Sequence, residues 1–306
     1  MPKEIFGREY EFMPRDQLLT FEEITQIAVE AADLGVNKIR ITGGEPLLRA
    51  GLPDLISMLA AIDGIDDLTM TTNGSNLARK ADELAKAGLN RVSVSLDSVD
   101  DATFRAMNDA GFGVGGVLEG IEAAAAAGLG PIKINAVIKR GVNDQGIVAM
   151  AKHFRGSGHI LRFIEYMDVG TTNGWRLDKV VPAQKVIETI AAAFPLEPLQ
   201  PAYRGEVARR YRYRDGSGEI GVIASVTAPF CGDCTRLRLT AEGSAYTCLF
   251  ASSGVDLRAL VRSDTDGTAI AKALTEIWEH RTDRYSELRS EETDGWERIE
   301  MSYVGG

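Results

Sequence analysis

Cysteine is scarce in this chain: three in 306 residues, at 231, 234 and 248, with none before them. An odd number, two of them close together, excludes the paired framework of a small secreted disulfide protein. Histidine is as rare, at 153, 159 and 280, and none falls inside the 231–248 loop, so a closed structural zinc site there lacks its fourth ligand. Basic excess is absent: a net charge of −10 argues against nonspecific binding of nucleic acid or an acidic membrane. No apolar run approaches about 18 residues and no charged-then-apolar leader opens the chain, so a cytoplasmic protein with no membrane partner is expected. Core material is plentiful, with 44% hydrophobic residues, and the length suits about two domains.

The three cysteines fall in one stretch, Cys231-Gly-Asp-Cys234-Thr-Arg236-Leu237-Arg238, closed by Cys248. A C-x2-C pair holds two thiolates on one turn, and the third is expected on the return strand of a hairpin. That is how chains grip soft metals. A zinc knuckle, a redox pair or thiols with no role share the pattern. A cubane iron–sulfur cluster held by three cysteines would keep one iron open for a substrate atom. Arg236 and Arg238 are expected at alternate positions of a strand, with Leu237 and Leu239 on its other face. Beside three thiolates, two guanidiniums aimed together suit an anionic ligand better than solvent.

Upstream, helices and strands alternate. A capping box at Thr20–Glu23 opens a helix that Gly35 stops, and Lys38–Thr42 is a short strand. The unit recurs with strands at 68–72, 91–96, 131–138 and 161–166, which implies right-handed parallel crossovers. Spacing alone leaves an open doubly wound sheet and a (β/α) barrel equally possible. Strands buried on both faces should be almost wholly apolar, yet Lys38, Arg40, Lys133, Asn135 and Arg162 all lie on strands. Edge strands with solvated cations would explain this. A barrel lumen holding an anion explains it better, because it offsets the cost of inward charges.

Polar turns follow three consecutive strands: Gly43-Gly44-Glu45-Pro46, Thr71-Thr-Asn-Gly74, and Ser93-Val-Ser95-Leu-Asp97. Barrel enzymes place their chemistry at such strand ends. Two glycines expose bare backbone to a ligand, and the Glu45 carboxylate can take an amino group. Beyond Met167 the alternation ends in a helix over 182–194, a hairpin around Asp215–Gly218, the cysteine loop, an Ile270/Leu274/Ile277 helix, and a terminal Gly305-Gly306.

Together, Lys38-Ile-Arg-Ile-Thr-Gly-Gly-Glu-Pro46, Thr71–Gly74, Ser93–Asp97, Arg162-Phe-Ile-Glu-Tyr-Met167-Asp, Cys231-x2-Cys234-Thr-Arg-x-Arg238, Cys248 and the Gly-Gly end resemble the MoaA family over the whole chain. These are radical S-adenosylmethionine enzymes, GTP 3′,8-cyclases of molybdenum cofactor biosynthesis. The resemblance implies an α/β fold: an incomplete TIM-type (β/α) barrel over 1–167, lacking its first strand, and a smaller C-terminal α+β iron–sulfur domain over 168–306. It implies that Gly44, Ser95 and Met167 bind S-adenosylmethionine. It places GTP on Arg40, Thr71, Lys133 and the span Arg236, Leu237 and Arg238, with Lys38, Glu45, Arg162, Gly305 and Gly306 in or near the pocket. Cys231, Cys234 and Cys248 would hold a [4Fe–4S] cluster whose open iron meets guanine. A 5′-deoxyadenosyl radical would take a ribose hydrogen, and C8 of the base would capture the carbon radical. The product would be (8S)-3′,8-cyclo-7,8-dihydroguanosine 5′-triphosphate.

One feature departs from that family. Its S-adenosylmethionine-cleaving [4Fe–4S] cluster sits on a C-x3-C-x2-C motif at the end of a first barrel strand, and Met1 here aligns just after it. No cysteine precedes Cys231, so the ligands of that first cluster are absent from this sequence. The expectation is a start placed downstream of the true one and little activity from the chain as written; a truncated form or a degenerate paralogue would look the same. The competing class is a noncatalytic protein that binds GTP and one cluster. A zinc-bearing nucleic-acid module is disfavoured by the acidic charge. Expected partners are GTP, S-adenosylmethionine, an electron donor and, by resemblance, the next-step enzyme MoaC, with the chain a monomer or homodimer.

Overall fold

A computed structural model describes residues 13–108, 111–169, 174–263 and 267–289. Gly305 and Gly306 lie outside the described residues. Helix α1 (Phe21–Asp33) opens as expected: Thr20 Oγ1 accepts from the Glu23 amide, and Glu23 accepts in return from the Thr20 amide. The unit then repeats as β1 (Lys38–Ile41), α2 (Leu52–Ala60), β2 (Asp67–Thr72), α3 (Leu77–Lys86), β3 (Arg91–Ser95), α4 (Asp101–Asn108), α5 (Val114–Ala126), β4 (Lys133–Ile138), α6 (Ile147–Phe154) and β5 (Ile160–Glu165). All pairings from β1 to β5 are parallel.

After α7 (Ala183–Ala193) come β6 (Leu196–Pro198), β7 (Arg209–Tyr213) and β8 (Glu219–Ile223). The expected hairpin of β7 and β8 forms, and it joins the main sheet: β8 runs parallel to β5, giving the order β1-β2-β3-β4-β5-β8-β7-β6. Among the described residues β1 and β6 are the edges, so hydrogen bonds do not close the sheet.

The sheet nevertheless curls. Strands β1 and β5 are four apart, which is about 19 Å in a flat sheet. Yet the charge of Arg40 bears on Arg162, and Tyr203 both lies 5.7 Å beneath Lys38 Nζ and lines a cavity with Arg162. This is a partial barrel with its polar strand faces turned inward. Helices cover the other face, and the main core runs between them and the sheet, where Ile56, Met70, Val94, Ile134 and Phe163 are completely buried.

The chain continues through β9 (Arg238–Leu239), β10 (Ser244–Tyr246), β11 (Val255–Asp256), α8 (Arg258–Ser263), α9 (Thr268–Glu279) and α10 (Tyr285–Leu288). A second core of Leu19, Ile27, Ala245, Leu257, Val261, Ile270 and Leu274 packs this part against α1. Among the described residues no helix is long and apolar enough to cross a membrane.

Candidate active site in the barrel lumen

Strand parity builds the site. Lys38 and Arg40, Asp67 and Thr71, Arg91, Ser93 and Ser95, Lys133 and Asn135, and Arg162 fall at alternate positions of β1 to β5, so each strand offers one face to the lumen. At the strand starts, Asp67 bridges Lys38 at 2.8 Å and Arg91, whose Nε donates at 2.9 Å. Burial opposes the Asp67 charge, but the hydrogen bonds and charges of Arg91 and Lys38 outweigh it and hold the carboxyl below its usual range. One strand step deeper, Arg40 Nη1 donates to Thr71 Oγ1 and Ser93 Oγ, both at 3.1 Å. Arg162 donates from Nε and Nη2 to Asn135 Oδ1 at 3.0 and 2.7 Å.

The lumen is strongly cationic. Burial, then the charges of Arg162, Arg91, Lys38 and Arg40, lower Lys133 to about 8. Burial and then Arg40 bring Arg162 down to about 10. Arg40 is lowered first by burial and then by Arg91; solvent still reaches it, because the walls that crowd it surround an open space. Lys133, Arg91 and Arg162 line a cavity of about 170 Å³ with Tyr203, Glu206 and Gly221. Gly221 is bare for a steric reason: a Cβ there would lie 3.1 Å from Arg162 Cγ and 3.3 Å from Ala208 Cβ. Like charges held this close repel, so the arrangement favours a polyanion.

At the opposite, C-terminal ends of the strands lie Gly44, Ser95 and Met167. Gly43 takes φ +132, which a side chain would resist. The Glu45 carboxylate is already engaged: Oε1 accepts from the Leu47 amide at 3.1 Å and Thr72 Oγ1 at 2.7 Å, and Oε2 from the Asn73 amide at 2.7 Å. It ties the Gly-Gly turn to the end of β2. At the end of β5, buried Glu165 anchors the start of α7 and residues 226 and 227 through the Ala183, Val226 and Thr227 amides.

The cysteine loop closes one side. Cys231–Asp233 make a short turn with the Cys234 amide on the Cys231 carbonyl at 3.2 Å. The expected hairpin is β9 and β10, pairing Arg238 with Tyr246, and Cys248 lies two residues past β10. The expected strand through Arg236 is shorter, covering Arg238–Leu239 alone. Arg236 turns back instead: Nε and Nη2 donate to Cys234 Sγ at 3.2 and 3.0 Å, and its guanidinium lies 5.2 Å from the Phe230 ring centre. Leu237 and Leu239 still share the apolar side, packed on the second core.

All three thiols are free and partly accessible. Burial opposes the Cys234 thiolate, but Arg236, with help from Arg281, brings it below the usual thiol range; burial raises Cys248. The Cys234 and Cys248 charges both act on Arg238, and that of Cys231 acts on Cys248, so the three sulfurs share one neighbourhood. Buried Arg238 Nε and Arg281 Nε have no hydrogen-bond partner among the described residues. Among the described residues no three Cys, His, Asp or Glu groups converge as around a single ion. A cubane needs no such convergence, since each thiolate takes a different iron corner. Three free thiols beside Arg236, Arg238 and Arg281, with the buried Arg238 Nε lacking a hydrogen-bond partner among the described residues, fit a polynuclear cluster.

Two contacts join the loop to the barrel. A Cβ on Gly205 would lie 2.8 Å from the Asp233 carbonyl, so the segment bearing Tyr203 and Glu206 packs directly on the cysteine turn. Met167 and Cys248 pack against one apolar cluster of Val169, Phe250 and Tyr285. The structure thus brings Arg40, Thr71, Lys133, Lys38 and Arg162 into one lumen, puts Gly44, Ser95 and Met167 at its rim, and sets the cysteines alongside. Sequence reasoning missed Asp67, Arg91, Tyr203 and Glu206. The first two were detectable, because they share parity with Thr71 and Ser95; the others come from a loop with no periodic signal.

Residues 5–154 match the Radical SAM superfamily and residues 159–287 match Molybdenum Cofactor Synthesis C. The GTP 3′,8-cyclase of Acidothermus cellulolyticus is 54% identical, over 100% of this chain and 91% of that protein. That of Xanthomonas campestris pv. campestris is 47% identical over 95% of this chain and 85% of its own length. Among solved structures, Streptococcus suis SuiB bound to S-adenosylmethionine superposes with a TM-score of 0.63 at 15% identity, covering 92% of this chain and 63% of that one, a likeness of fold. With more than half its residues shared along its entire length, the chain belongs to the GTP 3′,8-cyclase family of radical S-adenosylmethionine proteins.

Proposed function

We propose that this protein serves the conversion of GTP to its 3′,8-cyclised triphosphate in molybdenum cofactor biosynthesis, a lyase reaction using S-adenosylmethionine and iron–sulfur clusters. The observation that carries the reading is the shared apolar cluster of Met167 and Cys248, which sets the rim of the lumen beside the cysteine loop. A nucleotide can then lie along the lumen, with its phosphates on the strand-start cations and its base toward the cysteines.

In this reading Arg40, Lys133, Lys38 and Arg162 neutralise the triphosphate, with Thr71 beside Arg40. Arg236, Leu237 and Arg238 hold the substrate against the loop. Gly44, Ser95 and Met167 receive S-adenosylmethionine. Cys231, Cys234 and Cys248 hold a [4Fe–4S] cluster, which supplies an open iron to orient the purine. Function then divides near residue 167, even though β8 extends the barrel sheet. The S-adenosylmethionine-cleaving cluster finds no thiolate among these residues, since no cysteine precedes Cys231. The part played by Gly44, Ser95 and Met167 in this reading is to bind and orient S-adenosylmethionine. An electron donor, the next-step enzyme, and a monomeric or homodimeric state complete the proposal. Free thiols suit a reducing, cytoplasmic setting.

Anaerobic reconstitution tests it. About four irons per chain are expected for one cubane cluster, with a reduced-state electron paramagnetic resonance signal that GTP shifts. A protein carrying only zinc, or a signal indifferent to GTP, would overturn the reading.

A further inference from the structure

We propose that Asp168, Tyr285 and Arg289 form a latch that fixes the position of Cys248 relative to Met167; the inference rests on the reading of Cys248 as a cluster ligand given above. Asp168 directly follows Met167 in the chain. Tyr285 Oη donates to Asp168 Oδ2 at 2.7 Å, and Arg289 Nε donates to Oδ1 at 3.0 Å. Arg289 Nη1 also donates to the Ser225 carbonyl at 3.1 Å, just beyond β8. On the far side, the Tyr285 ring stacks on Phe250 at 4.4 Å between centroids and 20° between planes. The Phe250 amide in turn donates to Cys248 Sγ at 3.4 Å. An unbroken run of contacts therefore links Met167 to the third sulfur.

The energetics favour a positioning role over a stabilising one. The Arg289 and Asp168 side chains are only 10% and 3% exposed. A desolvated ion pair of this kind contributes little net stability compared with apolar residues of the same shape. It does demand fixed geometry, because the Nε bond to the Asp168 carboxylate, with Nη2 in ion-pair contact with the same oxygen at 2.7 Å, and the Nη1 bond to the Ser225 carbonyl together orient the guanidinium plane. Arg289 also lies 5.5 Å from the Phe250 ring centre, so it bears on the residue that bonds the sulfur. Amide–sulfur hydrogen bonds tune a cluster's electronic state and place its ligand. Loosening Tyr285 would free Phe250, and with it the amide on Cys248.

The test uses the full chain, reconstituted anaerobically, as wild type, Tyr285→Phe, Arg289→Met and Arg289→Lys. Tyr285→Phe keeps the ring stack and removes only the hydroxyl, so it isolates geometry from packing. Expected are wild-type iron content, a displaced signal from the reduced cluster, and at least a tenfold higher GTP concentration to reach the half-maximal spectral change. Arg289→Met should do the same and Arg289→Lys should partly restore the wild-type response. Thermal unfolding serves as the control. A merely structural role would lower the unfolding temperature and leave the spectrum and the GTP dependence unchanged, which would overturn the proposal. If Arg289→Met does not fold, Tyr285→Phe decides. If wild-type protein gives no GTP response, the nucleotide reading fails, and the latch stands or falls on the GTP-free spectrum of Tyr285→Phe.

Discussion

Arg40 Nη1 is shared between Thr71 Oγ1 and Ser93 Oγ, each at 3.1 Å, so one guanidinium from β1 spans to the second and third strands. Among the described residues that guanidinium makes no other hydrogen bond, which leaves its remaining donors for a phosphate. Arg40→Met keeps the stem and removes the charge. GTP affinity should fall roughly 10–100-fold, as for loss of a charge-assisted hydrogen bond. Thr71→Val should cost less, about threefold to tenfold. Equilibrium titration checks both, with circular dichroism confirming the fold; unchanged affinity in Arg40→Met would remove that residue from the site.

Lys133 makes binding depend on pH. Its native value of about 8 lies below that of a free lysine, so raising the pH above 8 discharges the native state first. Self-repulsion in the lumen is thereby relieved, and the unliganded protein should gain stability between about pH 8 and 10, where the unfolded chain binds more protons. A triphosphate favours the charged form, so GTP binding should take up a proton in the same window and weaken as pH rises through it. Calorimetry at pH 8.5 in two buffers of different ionisation enthalpy measures the uptake. It should vanish in Lys133→Met.

Asp97, beyond β3, behaves in the opposite sense. Burial raises it to about 6, against one opposing hydrogen bond from the Val137 amide. The folded state therefore retains a proton that the unfolded chain has lost, and stability falls as pH rises from about 4 to 6, with the full cost present above 6. Asp97→Asn keeps the acceptor and removes the charge, so it should be more stable than wild type by about 1–3 kcal/mol at pH 7.5, the gap closing toward pH 4.5. Denaturant unfolding at the two pH values decides; a gap independent of pH would refute the assignment.

Arg236 and the cysteines should separate cleanly. Cys248→Ser removes a proposed ligand and should lower iron content in reconstituted protein. Arg236→Ala loses the bonds to Cys234 Sγ and the Phe230 contact, yet leaves all three thiols in place. Iron should stay near wild type while GTP affinity drops about tenfold or more. Loss of iron in Arg236→Ala would make that arginine part of the cluster's support instead.

The sequence by itself determined the repeating helix and strand units, because hydrophobic periodicity and the Thr20 capping box are local signals, and it put Lys38 with Arg40 and Lys133 with Asn135 on shared strand faces. It also located the hairpin that ends near Cys248, since strand and turn propensities act over a few residues. Only the tertiary structure decided that the parallel sheet curls, which brings Arg40 within reach of Arg162, and that β8 extends it beside β5. It alone turned Arg236 back onto Cys234 and set Tyr203, Glu206, Tyr285 and Arg289 around the site. Apart from the local turn of Arg236, these choices depend on contacts between residues tens to hundreds of positions apart, whose energies come from burial and charge in three dimensions and leave no periodic trace along the chain.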